Sequence, residues 1–273
     1  MAARVLGSLE EHRVRYDYLS GISREGWAWE HLRRDRRFCT MAYGVWESAL
    51  SKIDCHENIQ LLKLRGPQPD AEAWGLICFP HPDQTALKAD VFWSPHLYPR
   101  RVEVRVGPRL EGEVDEIFEE TVRVCRVKLL TDWAGGEHLR IQGQHCSIQV
   151  RCRGLPLVNS DPVKMTFEIS GLTDFEEKVR IMRKTRKVYG DHMDGPPEFS
   201  GEALRMRNGL IALDARQAGL SLSETAEIIF GAKRVREEWG RDGRWMKDRV
   251  RGHIAQAKAL MEGGYRNLLL RRP

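Results

Sequence analysis

The chain has 273 residues, of which 41% are hydrophobic and 30% are charged, a composition typical of a globular protein rather than a disordered or fibrous one. Its apolar runs are only a few residues long, so the sequence lacks the stretch of roughly 20 apolar residues that crosses a bilayer. The first residues also lack the basic and then apolar layout of a signal peptide, and we expect a cytoplasmic protein without a membrane partner.

The net charge of +5 is unevenly distributed along the chain. Residues 171–273 contain 21 Lys and Arg against 15 Asp and Glu, whereas residues 1–170 contain 23 against 24. The whole positive excess therefore falls in the last third of the chain. This asymmetry indicates a surface for an acidic partner, of which nucleic acid is the commonest.

Six cysteines are spread over residues 39–152 without a Cys-x-x-Cys pair. In a chain of this size that spacing favours reduced, partly buried thiols over a zinc site or a disulfide framework. We therefore expect no metal site and no cofactor.

Helices are predicted from residue 16 to about residue 64, where Tyr43, Trp46, Leu50 and Ile53 recur at helical intervals. Strands are predicted from residue 74 to about residue 170, because short runs rich in Val, Ile, Phe and Trp occur there. These runs cover residues 74–79, 89–93, 102–106, 137–142, 147–152 and 164–169. One helix over 115–129 interrupts them, and helices return after residue 172, including one over 203–218 that Gly219 ends.

These elements predict an α+β protein with an N-terminal helical segment and a mainly antiparallel β region, followed by an all-helical C-terminal domain. The predicted boundaries are 1–70 for a helical interaction domain, 71–170 for the β-rich region and 171–273 for a helix-turn-helix variant that binds DNA.

The segment 219–231 has the form of the first helix of a helix-turn-helix. Ser223 can cap it, Ala226 is small enough for close helix contact, and Gly231 permits a turn. The next periodic helix follows only after the 13 residues from Ala232 to Arg244, whereas the usual turn has about three or four residues. We therefore expect an enlarged turn that includes an extra helical turn near residues 235–239.

That next helix, from about residue 242 to 262, is predicted to have one apolar side and one cationic flank. The apolar stripe consists of Met246, Val250, Ile254, Ala257 and Met261, and the flank consists of Arg244, Lys247, Arg251 and Lys258. Nine Lys and Arg against four Asp and Glu lie between Lys233 and Lys258, which indicates contact with phosphates.

Two groups of these cations are expected to differ in role. Arg244 and Lys247 lie at the N-terminal end of the helix, where recognition helices usually meet base edges. Phosphate contact is the expectation for Lys233, Arg234, Arg236 and Lys258.

Three alternatives to a DNA-binding regulator fit these cations. The cations can form a solvated flank without a partner, or a face that binds an acidic protein. The third alternative is a DNA-processing enzyme, but the sequence has no Gly-rich phosphate loop, no His-Glu-x-x-His and no nucleophile elbow. We therefore predict no catalytic residues.

Six segments of the sequence carry a resemblance to a known family. They are residues 26–35, which begin Gly-Trp-Ala-Trp-Glu, residues 74–76, 90–95, 226–231 and 248–251, and residues 259–269, which contain Gly-Gly-Tyr-Arg. The chain resembles the two-domain transcriptional activators of proteobacterial integrative and conjugative elements, typified by the excision activator FseA.

This resemblance implies a C-terminal helix-turn-helix variant that binds double-stranded promoter DNA and activates, with RNA polymerase, the genes for excision and transfer. The implied DNA-binding residues are Lys233, Arg234, Arg236, Arg244, Lys247, Arg249 and Arg251. The helix with Trp27 and Trp29 would contact the other domain or a partner, although core packing is the ordinary role of such residues. Relatives that consist of the C-terminal domain alone act as antiactivators and capture the activator's N-terminal domain. Because this chain has both the N-terminal motif and the basic surface, it looks like the activator.

Overall fold

The computed structural model describes residues 9–99, 101–143, 147–169, 175–185, 188, 198–240 and 243–270. Its helices are α1 (Leu9–Val14), α2 (Arg24–Leu32), α3 (Arg36–Val45), α4 (Pro69–Ala73), α5 (Glu116–Val124), α6 (Phe175–Thr185), α7 (Gly201–Gln217), α8 (Leu222–Phe230), α9 (Ala232–Glu238), α10 (Arg244–Ala259) and α11 (Tyr265–Leu270). Its strands are β1 (Leu50–His56), β2 (Ile59–Leu64), β3 (Val102–Pro108), β4 (Arg126–Thr131), β5 (Glu137–Gln142), β6 (Ser147–Gly154) and β7 (Val163–Phe167).

The chain groups into two compact units. The helical unit comprises Met1–Gly21 and Met193–Tyr265, and the sheet unit comprises Ile22–His192 and Arg266–Pro273. The division into the segments 1–70, 71–170 and 171–273 stays a prediction. Among the described residues, no helix combines the length and the apolar character needed to span a membrane.

The strands of the described residues form one mixed sheet in the order β1-β2-β4-β5-β6-β3-β7. Four neighbouring pairs are antiparallel, while β2 with β4 and β3 with β6 are parallel. The β region is therefore more mixed than the sequence predicts. Alternate residues such as Val104, Leu139 and Val150 fill an apolar core on one face of the sheet, as the two-residue period of a strand requires.

The predicted helical region is wrong beyond α3, because β1 and β2 form an antiparallel hairpin there. Leu50 lies opposite Leu64 and Ile53 opposite Leu61, so cross-strand pairing takes the place of a helical face. Leu62 and Leu64 alternate with exposed Lys63, which is the two-residue period of a half-buried strand.

The predicted strands over 74–79 and 89–93 are not strands in the structure, where they meet only in an isolated bridge between Leu76 and Trp93. Their apolar residues are buried except for the half-buried Trp74, but side chains of the sheet form part of the hydrogen bonds to their backbone. The Gln149 side chain accepts a hydrogen bond from the Trp93 amide and donates one to its carbonyl. Arg140 donates to the carbonyls of Val91 and Ala86. Burial without ladder pairing explains why these segments have the composition of strands.

The predicted helix over 115–129 is too long. The helix α5 ends at Val124, Cys125 is extended, and residues from Arg126 onward form β4 between β2 and β5. Since β4 pairs on both sides, tertiary pairing decides the conformation of a segment whose local pattern also fits a helix.

In the helical unit, α7 packs against α8 and α10. Gly219, at φ 86°, follows α7 and ends it, as the sequence predicts. The N-terminal residues belong to the same unit, since the Tyr16 hydroxyl donates to Asp214 Oδ2 at 2.6 Å and Asp17 lies 3.7 Å from the guanidinium of Arg207.

Gly209 sets the close approach of α7 to α10. A Cβ atom at this position would lie 3.3 Å from Ala257 Cβ and 3.5 Å from the His253 carbonyl oxygen. We expect Gly209→Leu to push the two helices apart and to lower the free energy of unfolding of the helical unit by about 1–3 kcal/mol. Chemical denaturation followed by circular dichroism measures this change.

The matched control is Gly252→Ala on α10, where a Cβ atom would meet nothing within 4 Å. Because alanine favours a helix over glycine by up to about 1 kcal/mol, this variant should be as stable as the wild type or more stable. Equal destabilisation by the two substitutions would contradict the role of Gly209 as a packing position.

Candidate nucleic-acid interface

The helix α8 begins with a capping box. The Ser221 hydroxyl accepts a hydrogen bond from the Glu224 amide at 3.2 Å, and the Glu224 carboxylate accepts one from the Ser221 amide at 2.7 Å. The cap is therefore Ser221 and not the predicted Ser223, which lies inside the first turn. Hydrogen bonds from the Ser221 side chain and from the Ser221 backbone amide to the Glu224 carboxyl hold its pKa below the usual value.

The predicted enlarged turn contains a helix. Gly231, at φ 92°, joins α8 directly to α9, and this positive φ favours glycine. The helix α9 spans Ala232–Glu238, so the extra helical segment is longer than the predicted turn near 235–239 and begins earlier. The succession α8, α9 and α10 is consistent with a helix-turn-helix variant whose enlarged turn is itself helical.

One apolar cluster holds these three helices together. Ala226 of α8, Val235 of α9 and the α10 residues Met246 and Val250 are all nearly or fully buried in it. Because each helix contributes at least one side chain, the cluster fixes α9 and α10 against α8.

The helix α10 separates an apolar side from a charged surface, as its sequence period predicts. Met246, Val250 and Ala257 are buried and Ile254 is half-buried. At 3.6 residues per turn, the exposed Arg249 lies on the opposite flank of this stripe from Arg251. The cations of α10 therefore lie on both sides of the apolar stripe, not on one flank alone.

The eight predicted DNA-binding cations lie on α9 and α10, and we call them the α9–α10 basic surface. Its members are Lys233, Arg234, Arg236, Arg244, Lys247, Arg249, Arg251 and Lys258. All are exposed except Lys247, which is half-buried.

Three members of this surface form ion pairs within their own helical segment. Arg234 Nε lies 2.9 Å from Glu238, Arg251 Nη1 lies 3.1 Å from Asp248, and Lys258 Nζ lies 3.7 Å from Glu262. Exposed pairs of this kind contribute little to stability, so they leave the cations available to an anionic partner. Within the described part of the chain, no acidic partner contacts the four cations Lys233, Arg236, Arg244 and Arg249.

Two tryptophans hold cations of this surface in place, which the sequence reasoning missed. The Arg234 guanidinium lies 5.1 Å from the centre of the Trp245 ring, and Lys247 Nζ lies 5.1 Å from the centre of the Trp239 ring. The pair of Arg234 and Trp245 joins α9 to the first turn of α10. The pair of Lys247 and Trp239 joins the residue after α9 to the same turn. The signal was present in the sequence as aromatic residues interleaved with basic ones.

His253 is a buried titratable group on the apolar side of α10. Burial, together with the positive charge of Arg249, lowers the pKa of His253 from its usual value of 6.5. The folded state therefore favours the neutral imidazole. Its contribution to stability is complete above pH 6.5 and is lost as the pH falls through the lowered pKa.

We expect the free energy of unfolding of the helical unit to fall between about pH 7 and about pH 5, and to fall less in His253→Leu, which cannot titrate. Thermal melts of both proteins across this range measure the difference. His138 of the sheet unit shifts in the same direction, so the comparison with the variant isolates His253. Parallel curves for the two proteins would contradict this role.

The predicted interdomain or partner residues Trp27 and Trp29 are both buried, at 3% and 0% exposure. Trp29 Nε1 donates to the Gln84 carbonyl at 2.9 Å, and its ring packs edge-on against Phe38. These contacts of Trp29 lie inside the sheet unit. Contact of either tryptophan with another domain or a partner stays a prediction.

Glu30, the last residue of the Gly-Trp-Ala-Trp-Glu motif, is a fully buried carboxylate. It accepts hydrogen bonds from the Ala86 amide at 2.7 Å, from Arg33 Nε at 2.7 Å and from Arg34 Nη1 at 2.8 Å. Burial alone would raise its pKa, but the charges of Arg34 and Arg33, together with the hydrogen bonds from Arg34 and the Ala86 amide, hold the pKa below its usual value. The motif thus forms a buried polar centre as well as an aromatic core.

Among the described residues, no group of three His, Cys, Asp or Glu side chains is placed to hold a metal ion.

Comparison with known proteins gives two family matches. Residues 172–270 match a family described as "T6SS, Transcription factor, DNA binding domain". Residues 11–52 match a family described as "Proteobacterial transcriptional regulator-like domain". A comparison with curated proteins gives no match.

These matches support a DNA-binding transcriptional regulator, with DNA as its partner. The C-terminal match includes α7 to α10 and every member of the α9–α10 basic surface, and the N-terminal match includes Trp27, Trp29 and Glu30. Both families are described as transcription regulators, and neither is an enzyme family.

Proposed function

We propose that this protein is a sequence-specific transcriptional activator that binds double-stranded promoter DNA through the α9–α10 basic surface. The observation that carries the proposal is the location of eight cations on two helices within the segment that matches a transcription factor DNA-binding domain. A buried apolar cluster holds both helices, so the cations are carried by fixed elements and not by a loop.

The cations divide into two roles in this proposal. Arg244 and Lys247, in the first turn of α10, meet base edges, while Lys233, Arg234, Arg236 and Lys258 neutralise phosphates. Arg249 and Arg251 also contact the DNA. If most of these residues replace counterions on the phosphates, the logarithm of the binding constant should fall with the logarithm of salt concentration with a slope between about −4 and −7.

The genes under control are those for excision and conjugative transfer of a mobile element, in keeping with the resemblance of the motifs around Trp27 and Tyr265. The activator acts in the cytoplasm with RNA polymerase, and an antiactivator protein can bind its N-terminal part. Because the description of the C-terminal family names T6SS, secretion genes are a second set of possible targets.

Mapping of chromosomal binding sites in the native host, combined with transcript levels after deletion of the gene, tests this proposal. We expect binding upstream of excision and transfer genes, and loss of those transcripts in the deletion strain. Binding upstream of secretion genes would keep the activator but change its targets. Absence of promoter binding would overturn the proposal.

A regulator whose basic face binds an acidic protein is the competing function. Binding of the purified chain to promoter fragments and to random fragments, measured over a range of salt concentrations, separates the two. An activator keeps a preference for its promoter as salt rises, because base contacts are less salt-dependent than phosphate contacts. If salt removes all preference between sequences, the competing function is favoured.

A further inference from the structure

Trp245 is a large apolar side chain exposed in the middle of the α9–α10 basic surface. It is 38% exposed and is the second residue of α10, between the exposed Arg244 and the buried Met246. Trp239 is different, because it packs against the apolar cluster that joins α8, α9 and α10. The exposure of Trp245 is therefore a feature of this surface that core packing does not explain.

Two neighbouring side chains contact the Trp245 ring. The Phe230 ring lies 5.6 Å from it, between centroids, with an interplanar angle of 57°. The Arg234 guanidinium lies 5.1 Å from its centre. Contacts from α8 and α9 thus fix the orientation of a ring that belongs to α10, so the apolar surface that remains exposed has a defined position.

A fixed apolar group in a basic surface has a limited choice of partners on duplex DNA. The faces of the bases are stacked, and the edges in the major groove are polar except for the C5 methyl group of thymine. The charge of a cationic side chain gains nothing from this methyl group, whereas an aromatic ring can pack against it.

We propose that Trp245 contacts thymine methyl groups in the major groove and so contributes to the choice of DNA sequence. This inference rests on the proposed function. Arg234, held over the same ring, places a cation beside this apolar contact. Sequence preference then comes from an apolar contact as well as from Arg244 and Lys247.

Replacement of thymine by deoxyuridine tests this proposal, because it removes the methyl group and keeps base pairing. Binding sequences are first selected from random duplexes with the full chain, and each thymine of the selected duplex is then replaced in turn. We expect at least one position where the replacement weakens wild-type binding about fourfold, the effect of losing one buried methyl group.

The variant Trp245→Ala should bind the selected duplex more weakly and should lose the difference between thymine and deoxyuridine at that position. Trp245→Leu keeps an apolar side chain and should retain part of the difference, which covers the case in which the alanine variant is poorly folded. Arg234→Gln should weaken binding but keep most of the difference, since the ring remains and Phe230 still contacts it. Trp133→Ala is the matched control, because Trp133 is 59% exposed between β4 and β5 in the sheet unit. It should bind as the wild type does.

The proposal is overturned if no deoxyuridine replacement weakens wild-type binding, or if Trp245→Ala and Trp245→Leu both keep the full difference. In either case the charged residues can still bind DNA and the proposed function stands. If the wild-type chain selects no sequence at all, the proposed function itself fails, and this inference with it.

Discussion

Arg251→Glu is expected to abolish specific retardation of promoter DNA while leaving the melting temperature unchanged. The Arg251 side chain is 62% exposed and its described ion pair is with Asp248, which is also exposed. The substitution places two carboxylates together where the proposal requires a cation, so repulsion of phosphates replaces attraction. Stability should hardly change, because exposed pairs of this kind contribute little.

Electrophoretic retardation of a selected duplex, with thermal melts followed by circular dichroism, measures both quantities. Arg205→Glu is the matched control, since Arg205 is an exposed arginine on α7 of the same unit, outside the α9–α10 basic surface. It reverses the same charge and should retard DNA as the wild type does. Equal retardation by all three proteins would refute the assignment of Arg251 to the interface.

Glu30→Ala is expected to lower the free energy of unfolding of the sheet unit by about 3–5 kcal/mol, because it breaks a buried ion pair and leaves buried donors without their acceptor. Glu30 itself is fully buried, and the Arg34 side chain is only 8% exposed. The Ala86 amide also loses its partner.

Denaturant unfolding followed by tryptophan fluorescence measures this loss, since Trp27 and Trp29 lie in the same helix as Glu30. Glu47→Ala, an exposed glutamate just after α3, is the control and should change the free energy of unfolding very little. Because the pKa of Glu30 is lowered, its contribution is present at neutral pH and is lost as the pH falls below the usual carboxyl range. A small effect of Glu30→Ala on the free energy of unfolding would contradict the stabilising role of this buried carboxylate.

Sequence period predicts α10 well because a helix that packs on one side must repeat its apolar residues every three or four positions. The same rule fails at β1, where Leu50 and Ile53 fit a helical interval but pair across a hairpin with Leu64 and Leu61. A different rule, the composition typical of strands, fails around Trp93, whose amide and carbonyl are hydrogen-bonded by the side chain of Gln149 and not by a neighbouring strand. Partners that are distant in sequence decide both cases, and local patterns do not contain them.

In the candidate site, too, the sequence predicts some features, whereas others depend on tertiary contacts. Seven of the eight cations follow from the count and spacing of Lys and Arg, because charge is a property of the residue type alone, and Arg249 follows from the family resemblance. The pairing of Arg234 with Trp245, and of Lys247 with Trp239, depends on how α9 crosses the start of α10. Gly231 and the core around Val235 set that crossing, and it cannot be derived from spacing.

Photo-crosslinking of the full chain to a selected duplex that carries iododeoxyuridine, followed by peptide mapping, determines whether α9 and α10 lie against the DNA. We expect crosslinked peptides from residues 232–258, with Trp245 among the modified positions. Crosslinks confined to the sheet unit, with none on α9 or α10, would contradict it.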